Sequence, residues 1–151
     1  MLLFFVLTGT NIYSQIYQQN FGTTAINTHP YNGAPAILDP NLSGSSWTNT
    51  TNTWTSGGGA SGQALWLTTS GATTISLTFS VANNYEASIS SFNFWRQRSN
   101  SASQNWSMAI NGIAVGSGTI PTTGAATGTT NVSAPITGSG YLRFLYLPLH
   151  L

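Results

Sequence analysis

Asp39 and Glu86 are the only carboxylate side chains in the 151 residues, and His29 and His150 the only imidazoles. A glycosidase needs two carboxyl groups flanking one bond. Here Asp39 precedes Pro40 in loop-like sequence, and Glu86 follows the turn-forming Asn83-Asn84-Tyr85, so turn-forming and solvent-exposed roles fit both better than a catalytic pair. His29 stands before Pro30 and reads as a loop residue, while His150 lies in the last residues of the chain. With no cysteine and so few acids, neither a thiolate nor an imidazole metal cluster can be assembled. The one cation site left open by residue type is a calcium site made of backbone carbonyls and Asp39. No Gly-x-Ser-x-Gly elbow occurs, and the run Gly57-Gly-Gly-Ala-Ser-Gly62 lacks the Lys-Ser/Thr of a phosphate loop. The expectation is a protein that is not an enzyme and that holds no cofactor and no metal.

Aromatic residues carry more promise. Trp47, Trp54, Trp66, Trp95 and Trp106, with Tyr31 and Tyr85, are many for a chain that is 3% charged. Carbohydrate sites stack the apolar C–H face of a pyranose on an exposed ring and orient its polar rim with amides and guanidinium groups. Trp95 is out of phase with Phe92 and Phe94, and Asn93, Gln97 and Arg98 stand beside it, so these four residues form the expected ligand surface. Packing under the Arg98–Gln104 loop is the competing role for Trp95. Trp54, like Trp47, lies in polar and apparently flexible sequence, where it would contact ligand or plug one end of the domain. Trp106 alternates with Met108 and Ile110 and reads as core. Arg96 and Arg98 would suit anionic sugars, although solvated edge charges are the plainer reading.

These residues are positioned by strands. Asn111-Gly112 between two alternating runs predicts a type I′ turn, with Ile110 opposite Ile113, Met108 opposite Val115, and all four on one face. Thr74 to Val81 places Ile75, Leu77, Phe79 and Val81 inward and Thr74, Ser76, Thr78 and Ser80 outward. The expected core adds Phe92, Phe94, Met108, Ile110 and Phe144. Further strands are expected at Ile16–Phe21, Gln63–Thr68, Thr129–Ser133 and Tyr141–Leu147. Thr23–Pro40, the Gly-rich run after Trp54 and Gly116–Gly128 read as loops. No segment after the first residues shows a helical apolar period. The fold expected is all-β, an antiparallel two-sheet β-sandwich of jelly-roll type.

Composition bounds the rest. Arg96, Arg98 and Arg143 against Asp39 and Glu86 give a net charge of +1, with no electrostatic footprint for nucleic acid. Residues 1–14 read as a secretory signal peptide: a short apolar run from Met1 to Leu7, too short to span a bilayer, with Ile12 and Ser14 at the −3 and −1 positions. No Lys or Arg precedes that run, so the leader is expected to be incomplete at its start. Residues 15–151 form a single expected domain with no membrane attachment after cleavage. Thr-rich faces suit ice binding in general, but no regular Thr-x-Thr repeat runs through the chain.

The phrases GQALWLTTSG, TISLTFSV and ISSFNFWRQRSNSASQNWSMAINGIAVGSG, with the leader end IYSQ and the opening IYQQNFG, resemble a β-sandwich module of exported multidomain proteins of Bacteroidota. The resemblance covers most of Gln15 to Leu147. It implies secretion or surface display, further attached domains, and company with adhesins, nucleases and type IX sorting domains. It carries over no catalytic motif. Related modules continue into an Asp-bearing strand where this chain reads Tyr146-Leu-Pro-Leu-His-Leu151, so a C-terminally truncated domain is expected. The function expected is non-catalytic adhesion to, or binding of, a glycan or cell-surface polysaccharide. The alternative is a structural spacer attached to a secreted enzyme such as a nuclease.

Overall fold

A computed structural model describes residues 14–67, 73–138 and 141–149, with side chains described up to Gly138 apart from Pro135. The expected signal peptide, apart from Ser14, and His150 fall outside these residues, as do the side chains of Phe144 and Arg143. Among the described residues there is no helix. The strands are β1 (Tyr17–Gln18), β2 (Ile37–Leu38), β3 (Leu42–Asn49), β4 (Thr55–Gly58), β5 (Gln63–Trp66), β6 (Ile75–Val81), β7 (Ala87–Phe92), β8 (Trp95–Arg96), β9 (Asn105–Ile110), β10 (Ile113–Thr119), β11 (Ala125–Ala126), β12 (Thr130–Gly138) and β13 (Tyr141–Leu149). They form one five-stranded sheet in the order β10-β9-β13-β6-β3 and the pairs β1-β2, β11-β8, β12-β7 and β4-β5. Every pairing is antiparallel.

Alternation in β6 builds the core. Leu77, Phe79 and Val81 are buried, Ile75 is half-buried and Ser80 is exposed. Phe79 and Ile110 are the most deeply buried large side chains, at 1% and 0% exposure. Around them Leu42, Leu77 and Val81 join Ala87 and Ile89 of β7 and Ile136 of β12 in one apolar cluster, flanked by Val115 and Val132. Each large aliphatic or aromatic side chain so buried contributes roughly 1.5–3 kcal/mol. Ser76 departs from the expected wet face. It is buried, in register with Thr48 on β3 and Leu145 on β13.

The Asn111-Gly112 turn has both central residues at positive φ, 49° and 84°, as a type I′ turn requires. Ile110 pairs with Ile113. Beyond Ala114 the register shifts, so Met108 faces Gly116 and not Val115. Ile113, at the start of the outer strand β10, is 56% exposed. Met108, Phe92 and Phe94 are half-buried. The two phenylalanines do not join the main cluster; they pack edge-on against the buried Trp106, with ring centroids 6.2 and 4.9 Å away.

Two stretches expected to be loop or flexible are strand. Trp47 lies within β3, and Gly57 and Gly58 lie within β4. Gly116 to Thr119 extends β10. In the second case Trp106 explains why: it pairs directly with Gly118, and its ring leaves room there for no side chain, since an added Cβ would come within 2.9 Å of Nε1.

Register shifts recur on outer strands. β10 carries one extra residue against β9, and β3 carries one against β6, near Gly44 at φ 66°. Between Asn131 and Ile136 β12 runs out of step with β7. By contrast the central pairings β13-β6 and β13-β9 run without a shift.

Near the N-terminus Tyr17 stacks on Phe79 at 5.8 Å, shares a hydrogen bond with the Ser45 hydroxyl and accepts one from Trp47 Nε1, both 2.9 Å long. Burial raises the Tyr17 pKa above its ordinary 10.0, and the hydrogen bonds with Ser45 and Trp47 offset this only in part. The neutral phenol is therefore the form that the fold favours. Its contribution to stability is complete below pH 10 and is lost as pH rises through the folded-state pKa, because the unfolded chain ionises first. Tyr17→Phe should lower stability at pH 8 by about 1 kcal/mol per lost hydrogen bond. Between pH 10 and 11.5 the gap to wild type should narrow, as read from denaturant midpoints; a constant gap would mean that Tyr17 ionises equally in both states. Replacing Gly112 by Val forces a β-branched residue to positive φ and should cost about 1–2 kcal/mol in the same measurement.

Candidate functional site

The four residues Asn93, Trp95, Gln97 and Arg98 are brought together around β8, and most of their polar groups are committed to the segment from Thr119 to Gly128. Thr127 donates its hydroxyl to Asn93 Oδ1 at 3.0 Å, and Gln97 Nε2 donates to Thr122 O at 3.0 Å. Arg98 Nε donates to Ile120 O at 2.8 Å, and its Nη1 lies 3.1 Å from the carbonyls of both Ser99 and Asn100. Arg96 does likewise, Nε to Thr119 O and Nη1 to Ala125 O, both at 3.0 Å. These arginines are tethered to main-chain carbonyls, where the sequence suggested loose edge charges. Trp95 is half-buried and lies across Gly124, where a Cβ would overlap its ring. It faces β11 and the loop before it, while part of its surface stays accessible.

Trp54 is elsewhere. Only 6% exposed, it packs against His29 with ring centroids 5.1 Å apart. The turn before it is closed by the buried Asn49, whose amide donates to Thr53 O at 2.7 Å and whose backbone N–H donates to His29 Nε2 at 3.0 Å. His29 thereby spends the lone pair that a metal would use.

The sequence counted Trp66 among the aromatic residues of the expected Gln63–Thr68 strand but did not mark it as a ligand residue. On β5 it is 49% exposed. It pairs with Thr55, and its ring lies across Gly57, leaving no space for a side chain there. The residues sharing its face by register are small or hydroxylated: Thr55, Gly57 and Ala64. The other face of the hairpin is moored to the chain before it. Ser56 Oγ accepts from Ile26 N at 2.7 Å, and Gln63 N donates to Gly22 O at 2.8 Å. The result is an indole braced from below by backbone and open above. The signal in the sequence was the Leu-Trp-Leu alternation at hairpin distance from a run of glycines.

Asp39 and Glu86, treated as separate residues in the sequence, meet on one shallow cleft of about 150 Å³ that Asn41, Tyr85 and Ser88 also line. Asp39 Oδ1 accepts from Asn41 N and Nδ2, at 2.9 and 3.1 Å, and so closes its own turn. Glu86 and Tyr85 are exposed. Such groups can accept hydrogen bonds from hydroxyls.

Gly124 and Trp95 supply a direct test of the tethered loop. Gly124→Val should displace the indole and loosen the Thr119–Gly128 segment, at a cost of about 1–3 kcal/mol. Hydrogen exchange at the amide of Arg98, which donates to Pro121 O at 3.0 Å, should accelerate, whereas exchange in β6 follows only the global change. Unchanged exchange at Arg98 would separate Trp95 packing from the loop.

Comparison with family models, with curated proteins and with solved structures returns no match for the chain.

Proposed function

We propose that the chain is a non-catalytic glycan-binding or adhesion module of an exported protein, displayed outside the cell. In this reading the five-stranded sheet and the β7-β12 pair, which share one apolar cluster, are the two layers of a jelly-roll-like β-sandwich. The observation that carries the functional part is Trp66: a large ring, half-exposed, braced across Gly57 on a face without charge. A ring already immobilised loses little side-chain entropy on stacking, so more of the stacking energy appears as affinity. Its small neighbours Thr55, Gly57 and Ala64 leave a level surface, which suits an extended, flat, β-linked neutral chain better than a compact sugar. Trp95 with Asn93, Gln97 and Arg98 belongs to the same proposal as a second polar-aromatic surface, using the area that its loop contacts leave open. The likeness to exported Bacteroidota modules supports secretion and attachment to further domains. The second reading is a spacer attached to a secreted enzyme.

Retention on insoluble cellulose and chitin tests the proposal. Wild type should be held back and should be only mildly salt-sensitive. Trp66→Ala should lose retention while its melting temperature stays within a few degrees, because the ring is half in solvent. Trp95→Ala, in the same assay, should lower retention more than melting temperature if its surface contributes. Passage of wild type through every neutral matrix would favour the spacer.

A further inference from the structure

We propose that His29 is an acid-sensitive latch on the β4-β5 hairpin, so that a glycan stacked on Trp66 is held at neutral pH and released in acid. The glycan part rests on the reading of Trp66 as a stacking platform, whereas the latch rests on the surroundings of His29. Tyr31 and Trp47 exchange both main-chain bonds, at 3.0 and 2.9 Å, in an antiparallel bridge along the outer edge of β3. Two residues along, that register sets His29 opposite Asn49. There the acceptor is a side chain: Asn49 N donates to His29 Nε2 at 3.0 Å. A neutral imidazole accepts at Nε2 with its proton on Nδ1, whereas the doubly protonated ring has two donors and no acceptor. Acid therefore sets two N–H groups against each other, beside a residue that is only 5% exposed. The Trp54 indole, 5.1 Å from the imidazole, attracts a cation through its face but gives the Asn49 N–H no acceptor.

The hairpin hangs from this point. The Asn49 side chain closes the turn into β4, donating to Thr53 O at 2.7 Å and accepting from Thr53 N at 3.3 Å. Trp54, against the imidazole, is followed directly by Thr55, which pairs with Trp66 across the hairpin. The segment that leads into His29 moors β4 as well, through Ile26 N on Ser56 Oγ at 2.7 Å. β4 and β5 form a sheet of their own, and two strands by themselves are marginal. Loss of the latch thus reaches Trp66 through Trp54 and through Ile26. No other described side chain supplies the response to acid. Asp39 and Glu86 line the cleft beside Leu42, at the opposite end of β3, whose eight residues span about 23 Å. Arg96 and Arg98 are tied to carbonyls of Ser99, Asn100, Thr119, Ile120 and Ala125, and the Tyr31 phenol at the bridge gains no charge in acid.

Amide exchange at Asn49 and Ile26, expressed as protection relative to the intrinsic rate at each pH, tests the latch without any ligand. In wild type, protection at both should fall about tenfold or more from pH 8 to pH 5, across the range where imidazoles titrate, and return on neutralisation. Protection in β6 should fall by less. His29→Gln brings an amide oxygen, an acceptor that does not titrate, and its protection at Asn49 should stay level. If that variant does not fold, the wild-type series decides, with the His29 ring 15N shifts following the same course. Unchanged protection at Asn49 would overturn the latch, and so would an equal fall in His29→Gln, which assigns the response to another group. Retention on cellulose or chitin is read alongside: wild type should elute at pH 5 and His29→Gln should stay bound. Wild type held at pH 5 with Asn49 deprotected would overturn the link from the latch to Trp66. Passage through the matrix already at pH 8 would sink the glycan reading, while protection at Asn49 still decides the latch.

Discussion

The structure depends on aromatic rings laid over glycine backbone. Trp106 covers Gly118 and contacts the space above Gly116; Trp66 covers Gly57, Trp95 covers Gly124 and Tyr31 covers Gly33. In each case a Cβ on the glycine would meet the ring, so the pairing is a steric lock between a large residue and the smallest one. Surface ion pairs contribute about 0–1 kcal/mol each, and this chain has too few charged groups to form many. A buried indole such as Trp106 removes about 150–250 Å² from water, worth several kcal/mol at about 25 cal/mol per Å². Register is therefore decided by where rings find glycines, and scarcely by charge. A slip of one residue would set the Trp106 and Trp95 rings against side chains, since Gly118 and Gly124 have no glycine beside them.

That lock also explains what the sequence made legible. The dry face of β6, the Asn111-Gly112 turn and the buried Trp106 follow from local rules of alternation and φ, and could be read directly. Gly57-Gly58 and Gly116–Thr119 could not, because glycine and serine in isolation signal loop. What makes them strand is a tryptophan on another strand, which local composition does not show. The shift at Val115 was hidden for the same reason: it brings Gly116 opposite Met108 and Gly118 under Trp106.

The candidate site was legible in its members more than in its geometry. Asn93, Trp95, Gln97 and Arg98 are adjacent in sequence and stay together, yet their partners come from the distant Thr119–Gly128 segment. Trp66 was visible as the odd residue of an alternation. Its bracing needed the hairpin. Asp39 and Glu86 reach one cleft only because the turn before β7 returns beside the turn before β3, a long-range closure that spacing does not encode.

The extra residues in β3 and β10 face the margins of the large sheet, and β12 is out of step as well. Most sheet proteins guard such margins with lysines, whose protection weakens at high ionic strength or when the charge is titrated away. Here the margins are misaligned in the main chain itself, so a neighbouring molecule finds no continuous ladder to extend. A guard of that kind has no ionisation state, and neither brine nor a change of acidity can disarm it.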